Sequence, residues 1–229
     1  MKKVYRISSY TLGLFLMAIG VTFSVHSNLG LSPVNSLPYA VSMVVGVSLG
    51  FCVAVIYTCF ILMQIILLRK EYKPINLLQI VISMLFGFFV DFAELLFGGF
   101  VIPTYLGRLA MLAISIAFVA IGLTFYLGAK LIPLPMDGLT LAITKKQKKL
   151  AFHQVKVITD SLNVVLAIIV AVVARGHVLG VREGTIISAL LVGKVMAFFM
   201  QRLGPRIQSV CFDNKAQESP VGDKSGEGP

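Results

Sequence analysis

The sequence predicts an all-α polytopic membrane protein. It should contain six transmembrane helices arranged as a 3+3 inverted-topology repeat, with two proline-broken half-helix or re-entrant segments. Three observations predict this. First, 57% of the 229 residues are hydrophobic, 13% are charged and the mean hydropathy is +0.90, which suits one transmembrane unit and excludes an ordinary soluble domain. Second, the stretch from Ala18 to Leu37 recurs without a gap from Ala120 to Leu139, 102 residues on. Ala18/Ala120, Ile19/Ile121, Gly20/Gly122, Thr22/Thr124, Phe23/Phe125, Leu29/Leu131, Pro33/Pro135 and Leu37/Leu139 are identical, and shared Gly, Thr and Pro are more than common greasiness supplies. Third, the basic residues fall on one side of a six-span chain.

A helix needs about 20 mainly apolar residues to cross the ~30 Å hydrocarbon core. Ile7 to His26 supplies the first span. MKKVYR before it resembles a signal peptide, but no small-x-small site follows and the same helix end returns in mid-chain, so this span is expected to stay. Leu29 to Val47 is too apolar for a watery loop and too rich in Pro, Ser and Asn for a simple span. It reads as a break followed by a short helix. Leu49–Leu68 and Ile75–Leu96 are the second and third spans, separated by the charged turn Arg69 to Lys73. The plan then repeats: Leu109–Leu127 is a span, Leu131–Ile143 a second broken segment ending in Lys145, Lys146, Lys148 and Lys149, Val155–Ala174 a span, and Glu183 to about Leu203 the last. Residues 1–206 therefore form one transmembrane domain, with repeats at about 7–98 and 108–205, and 207–229 reads as a disordered cytoplasmic tail.

One side of such a chain receives Lys2, Lys3, Arg6, Arg69, Lys70, Lys73, Lys130, the lysines of 145–149, Lys156, Arg202 and Arg206. The other receives only Arg108, Arg175 and Arg182. This bias places both termini in the cytoplasm, in the cytoplasmic membrane. Three spans per half then make the two copies face opposite ways. The formal charge of +10 lies between apolar runs without aromatic interleaving, so it signals topology and headgroup contact, not nucleic acid.

Candidate site residues are the polar groups that a membrane interior tolerates only at a cost. Asn35 and Asp137 each follow the repeated proline by two residues. They read as helix N-caps, or as the ends of two short helices turned toward a solute. Asp160 lies about a turn and a half into the fifth span, with Lys156 one turn before it and Asn163 at i+3. The carboxylate either pairs with Lys156 or serves a solute or proton. Lys194, near mid-span, needs a partner, with Asp160, Asp137, Asp91 and Glu94 as candidates; a fixed ion pair and a solute role both stand. Asp91 and Glu94 read as solvated or paired with Arg108 or Arg182. Gly20, Gly122 and Gly193 read as helix-packing positions. No cofactor, metal site or disulfide framework is expected from Cys52, Cys59 and Cys211, and no catalytic motif is present, which disfavours an enzyme.

Gly30-x-x-Pro33, Pro135-x-Asp137-Gly138-Leu139 and Gly180-x-x-x-Gly184-Thr185-Ile186, with Gly193 beyond, resemble the YczE/YyaS/YitT-like family of bacterial integral membrane proteins over about residues 8–205. The resemblance implies a small multi-span protein of the bacterial cytoplasmic membrane. Val34 and Met136 stand where that family often has Trp and Arg, and Asp160 where it often has Glu. The expected function is a secondary transporter or exporter of a small molecule or ion. Asp137, Asp160 and Lys194 would supply charge. Asn28, Ser32, Asn35, Asn163 and Thr185 would supply hydrogen bonds, around Pro33 and Pro135. A solute-binding subunit with a separate energising partner, or a non-transporting scaffold or regulator, is the alternative. Besides the lipid bilayer, a homodimer is compatible with so small a unit.

Overall fold

A computed structural model describes residues 2–99, 102–147 and 149–211; Lys148 and the tail beyond 211 lie outside these. Among the described residues eight α-helices follow one another: α1 (Lys2–Ser27), α2 (Pro33–Val45), α3 (Leu49–Leu68), α4 (Leu78–Phe97), α5 (Tyr105–Gly128), α6 (Pro135–Gln147), α7 (Phe152–Arg175) and α8 (Glu183–Cys211). Short 3-10 turns at Arg69–Glu71 and Pro74–Leu77 join α3 to α4. The described residues include no strand. Among the described residues, six helices are long and apolar enough to span a bilayer: Lys3–Ser27, Leu49–Glu71, Pro74–Phe97, Tyr105–Gly128, Phe152–Arg175 and Glu183–Ile207. Ile66, Phe88, Leu95, Leu106, Val173 and Leu190 point outward, an apolar coat that suits lipid and would be a liability in water. α8 continues through Pro205 to Cys211, so residues 207–211, expected in the tail, are helical, with Ile207 and Cys211 buried.

α1 and α5, which carry the repeated sequence, form the centre and run antiparallel. Ser9 Oγ donates to the Phe125 carbonyl (3.2 Å) near one end, and Ser115 Oγ donates to the Gly20 carbonyl (2.7 Å) further along. Between them a Cβ on Gly13 would lie 2.7 Å from the Gly122 carbonyl oxygen, and one on Gly20 would lie 3.0 Å from the Ser115 carbonyl oxygen. Only hydrogen at these positions lets the backbones come so close. α4 packs on α1 and α8 on α5, while α2 packs on α7 and α6 on α3. Gly50 and Gly87 join α3 to α4 in the same manner as the central pair. Gly193 differs from the packing role expected for it, because open space surrounds it on the outer face of α8.

Because α1 and α5 are antiparallel, the breaks that follow them lie at opposite ends of the pair. The chain turns at Asn28 (φ 50°) in one copy and at Lys130 (φ 48°), the aligned residue, in the other. An arginine holds each turn: Arg182 donates to the Asn28 carbonyl (3.0 Å) and Arg6 to the Lys130 carbonyl (2.9 Å). Both short helices start on the repeated proline, where a missing N–H leaves no helix bond unmade. Asn35 and Asp137 are thus the third residues of their helices, not the caps expected from sequence. Each 13-residue helix is about 20 Å long, too short to cross ~30 Å of hydrocarbon.

Candidate functional site

Two polar regions surround the short helices. At the start of α2, the loop after α1 pairs with the loop before α8: Leu31 N–H donates to the Gly180 carbonyl (2.9 Å) and Gly184 N–H to the Leu29 carbonyl (2.8 Å). This explains Gly180-x-x-x-Gly184. Gly180 has φ 71° and lies against the Tyr39 ring, and a Cβ on Gly184 would be 2.7 Å from the Leu29 oxygen. Thr185 Oγ1 accepts from the Arg182 N–H (3.3 Å) and is buried, so it shapes the same loop. Asn28 is exposed, and its carbonyl is what the loop uses.

Buried Asn35 donates through Nδ2 to Ser32 Oγ (3.2 Å), while its Oδ1 has no partner. Ser24, Ser32, Asn35, Ser115 and Ser188 border a cavity of about 10 Å³, room for a single water. Asn163 Nδ2 donates to the Pro33 carbonyl (2.7 Å) and the Val34 carbonyl (3.0 Å). The second bond has a clear cause. Pro38 has no N–H to return to the carbonyl four residues back, so Val34 would be left without a partner inside the protein.

α6 repeats this arrangement with a different amide. Gln64 Nε2 donates to the Pro135 carbonyl (3.0 Å) and to Gln79 Oε1 (3.0 Å). Pro33 and Pro135 are the aligned prolines, and each is gripped by a span of the other half. Replacing Asn163 or Gln64 by Leu is expected to lower stability by about 1–3 kcal/mol each, the range for a buried carbonyl left unpaired, read as a fall in the melting temperature in detergent. An unchanged melting temperature in both variants would show that the grip is dispensable.

Asp137, on α6, accepts from Lys156 Nζ at 3.0 Å, and the same ammonium lies 3.1 Å from Asp160 Oδ1. The latter is an ion pair outside hydrogen-bond geometry, so that buried oxygen keeps no hydrogen-bond partner. All three side chains are roughly three-quarters buried. Thr140 and Thr159 join α6 to α7 beside them (3.1 Å). On the other face of α6, a cavity of about 260 Å³ is lined by Gln64, Gln79, Asn76, Lys73, Gly138 and neighbours. Glu71 and Lys145, 2.8 Å apart, also line it.

Of the residues singled out from sequence, Ser32, Pro33, Asn35 and Asn163 come together at α2, with Asn28 on the adjoining loop and Thr185 in the first turn of α8. Pro135, Asp137 and Asp160 come together at α6. Lys194 joins neither group: it is exposed on α8 beside Gly193 and carries no ion pair among the described residues. Lys194→Leu is therefore expected to leave the melting temperature unchanged or to raise it, since a central lysine opposes insertion by about 2.5–3.5 kcal/mol; loss of folded protein would contradict this placement. Asp91 takes bonds from Ser48 Oγ and Gly50 N–H (both 2.7 Å) and so anchors the start of α3, while Glu94 pairs with His26 (2.9 Å); neither meets Arg108 or Arg182 in the way expected. Gln64 and Gln79 escape sequence reasoning. Two amides in otherwise apolar spans are the available signal, since buried amides must find partners.

The model of the family of unknown function DUF6198 matches residues 4–201. The chain is 26% identical to the uncharacterized protein YyaS of Bacillus subtilis (strain 168), over 83% of this chain and 90% of that protein. It is 27% identical to the uncharacterized membrane protein YczE of the same organism, over 85% of each. No solved structure matches.

Proposed function

We propose that this membrane protein, which belongs to the DUF6198 family of unknown function, is a secondary transporter of a small polar solute built from two inverted halves. The observation that carries the reading is the exchange of equivalent contacts between the halves. The approach of Gly13 to Gly122 and the bond of Ser115 to Gly20 map onto each other when 102 is added to one residue and subtracted from the other. The amides on Pro33 and Pro135 and the arginines on Asn28 and Lys130 also come each from the opposite half, although Asn163 and Gln64, like Arg182 and Arg6, are not positions aligned by the repeat. In this reading the antiparallel copies are related by a two-fold axis in the membrane plane, the plan on which many transporters rock around a central site.

The two ends differ in openness. The α2 end holds room for one water, and the α6 end holds about 260 Å³. In this reading the α6 end faces the cytoplasm, with both termini, and the molecule is in its inward-open form within the cytoplasmic membrane. The short helices enter from opposite faces as re-entrant segments. Asp137, Lys156 and Asp160 carry two carboxylates on one ammonium, a place where a proton or cation can be taken up as Lys156 shifts between them. Ser32, Asn35 and Asn163 form the outer closure. The reading assigns no enzymatic step.

The test is uptake of radiolabelled amino acids, hydroxy acids and polyols into proteoliposomes under an imposed pH gradient. The expected result is accumulation of at least one solute, lost in Asp160→Asn and retained in Lys194→Leu. Binding without movement, or uptake untouched by Asp160→Asn, would count against the proposal.

A further inference from the structure

We infer that the cavity between α3, α4 and α6 takes a small monocarboxylate that also carries a hydroxyl or amino group, and that Gln79 and Gln64 read it. The inference rests on the transport reading for its purpose but not for its chemistry. Gln79 and Gln64 are both essentially fully buried, and both line the cavity. The two protons of Gln64 Nε2 are committed to Pro135 and Gln79 Oε1, which fixes the orientation of both amides. Gln79 Nε2 is left as a buried donor without a partner. Gln64 Oε1 has no donor among the bonds formed by this pair. These two atoms meet at Gly138: a Cβ there would lie 2.8 Å from Gln64 Oε1 and 2.9 Å from Gln79 Nε2. A donor and an acceptor thus stand side by side over a glycine in a cavity wall.

Charge decides what they suit. Glu71 and Lys145 pair at 2.8 Å, and Lys73 is the lining charge that forms no ion pair among the described residues. The cavity therefore favours one negative charge. A carboxylate accepts from the Gln79 amide within the field of Lys73, and an adjacent hydroxyl or amino group donates to Gln64 Oε1. About 260 Å³ equals the liquid volume of roughly eight or nine waters, which suits a metabolite of a few carbons and excludes a large ligand. Gly138 is then required because any side chain there would fill the space between the two amides.

The test uses the full chain in detergent, with glycolate, L-lactate, glycine and L-serine as probes and lactamide and glycinamide as controls, read by thermal shift and calorimetry. At least one acid should bind and raise the melting temperature while the uncharged or cationic amides do not. Gln79→Met should weaken that binding at least tenfold while the ligand-free protein melts close to the parent, because it removes one orphaned donor and strands one Gln64 proton in exchange; a merely structural glutamine would lower stability and leave affinity unchanged. Lys73→Ala, at the exposed rim, should weaken binding without affecting folding. Failure of all four acids to bind, or unchanged affinity in Gln79→Met, would overturn the inference. An acid that binds through Gln79 but is not moved into proteoliposomes would leave this site standing and remove the transport reading instead.

Discussion

Replacing Lys156 by Met is expected to destabilise the protein by about 3 kcal/mol, with a matching loss of folded yield, because it strands two carboxylates that now share one ammonium. Both carboxylates are only about a quarter exposed, so solvent screens them poorly. The loss comes less from the missing attraction than from the charges left behind. Removing those charges should therefore restore most of the stability: Lys156→Met combined with Asp137→Asn and Asp160→Asn is expected to melt close to the parent. Denaturation of the parent, the single variant and the triple variant in detergent measures this directly. Equal melting of the single variant and the parent would mean that the ion pairs are not maintained. The rescued triple variant is also expected to fold yet fail to transport, which separates the stability of the triad from its use.

The second large effect belongs to the α1/α5 seam. Gly122→Leu is expected to cost more than the 1–3 kcal/mol of ordinary overpacking, and to abolish folded protein where stability is marginal. The new Cβ would meet backbone on the opposite helix, the Gly13 carbonyl oxygen and the Met17 nitrogen, each at 2.7 Å. A flexible side chain could turn aside, whereas these atoms can yield only if the helices separate. Gly193→Leu is the control, since its surroundings are open and the expected change is within about 0.5 kcal/mol. Size-exclusion profiles and melting curves of the two variants give the comparison. A tolerated leucine at Gly122 would contradict the close central pairing.

The spans and their breaks are legible in the sequence because hydropathy over 20 residues and a proline at helix position one are local signals. The start of both short helices on Pro33 and Pro135 is an example, although their third residues resemble caps because Asn and Asp favour that position too. What stays hidden depends on rotation about a helix axis. Counting along the last span gives the depth of Lys194, but depth does not say which way it points, and on α8 it points outward. Asp160 and Lys156 are legible as neighbours one turn apart, whereas Asp137 joins them only through the packing of α6 on α7. The same limit hides Gln64 and Gln79. Gln79 meets Gln64 only through the packing of α4 on α3, and Pro135, 71 residues on, only through the cross-half packing of α6 on α3. Gly193 looks like Gly122 in sequence, because a glycine in a span is the same letter whether a helix or lipid faces it.

The most direct measurement of the central claim is labelling from each side of the membrane. Single cysteines at Asn28 and Lys130, both exposed and aligned by the repeat, are introduced with Cys52, Cys59 and Cys211 changed to alanine, then treated with a membrane-impermeant maleimide on intact cells and on inverted vesicles. The cysteine at 28 should react on intact cells and the cysteine at 130 only in inverted vesicles. If both react from the same side, the halves are not inserted in opposite senses, and the paired short helices cannot frame a route between the two faces.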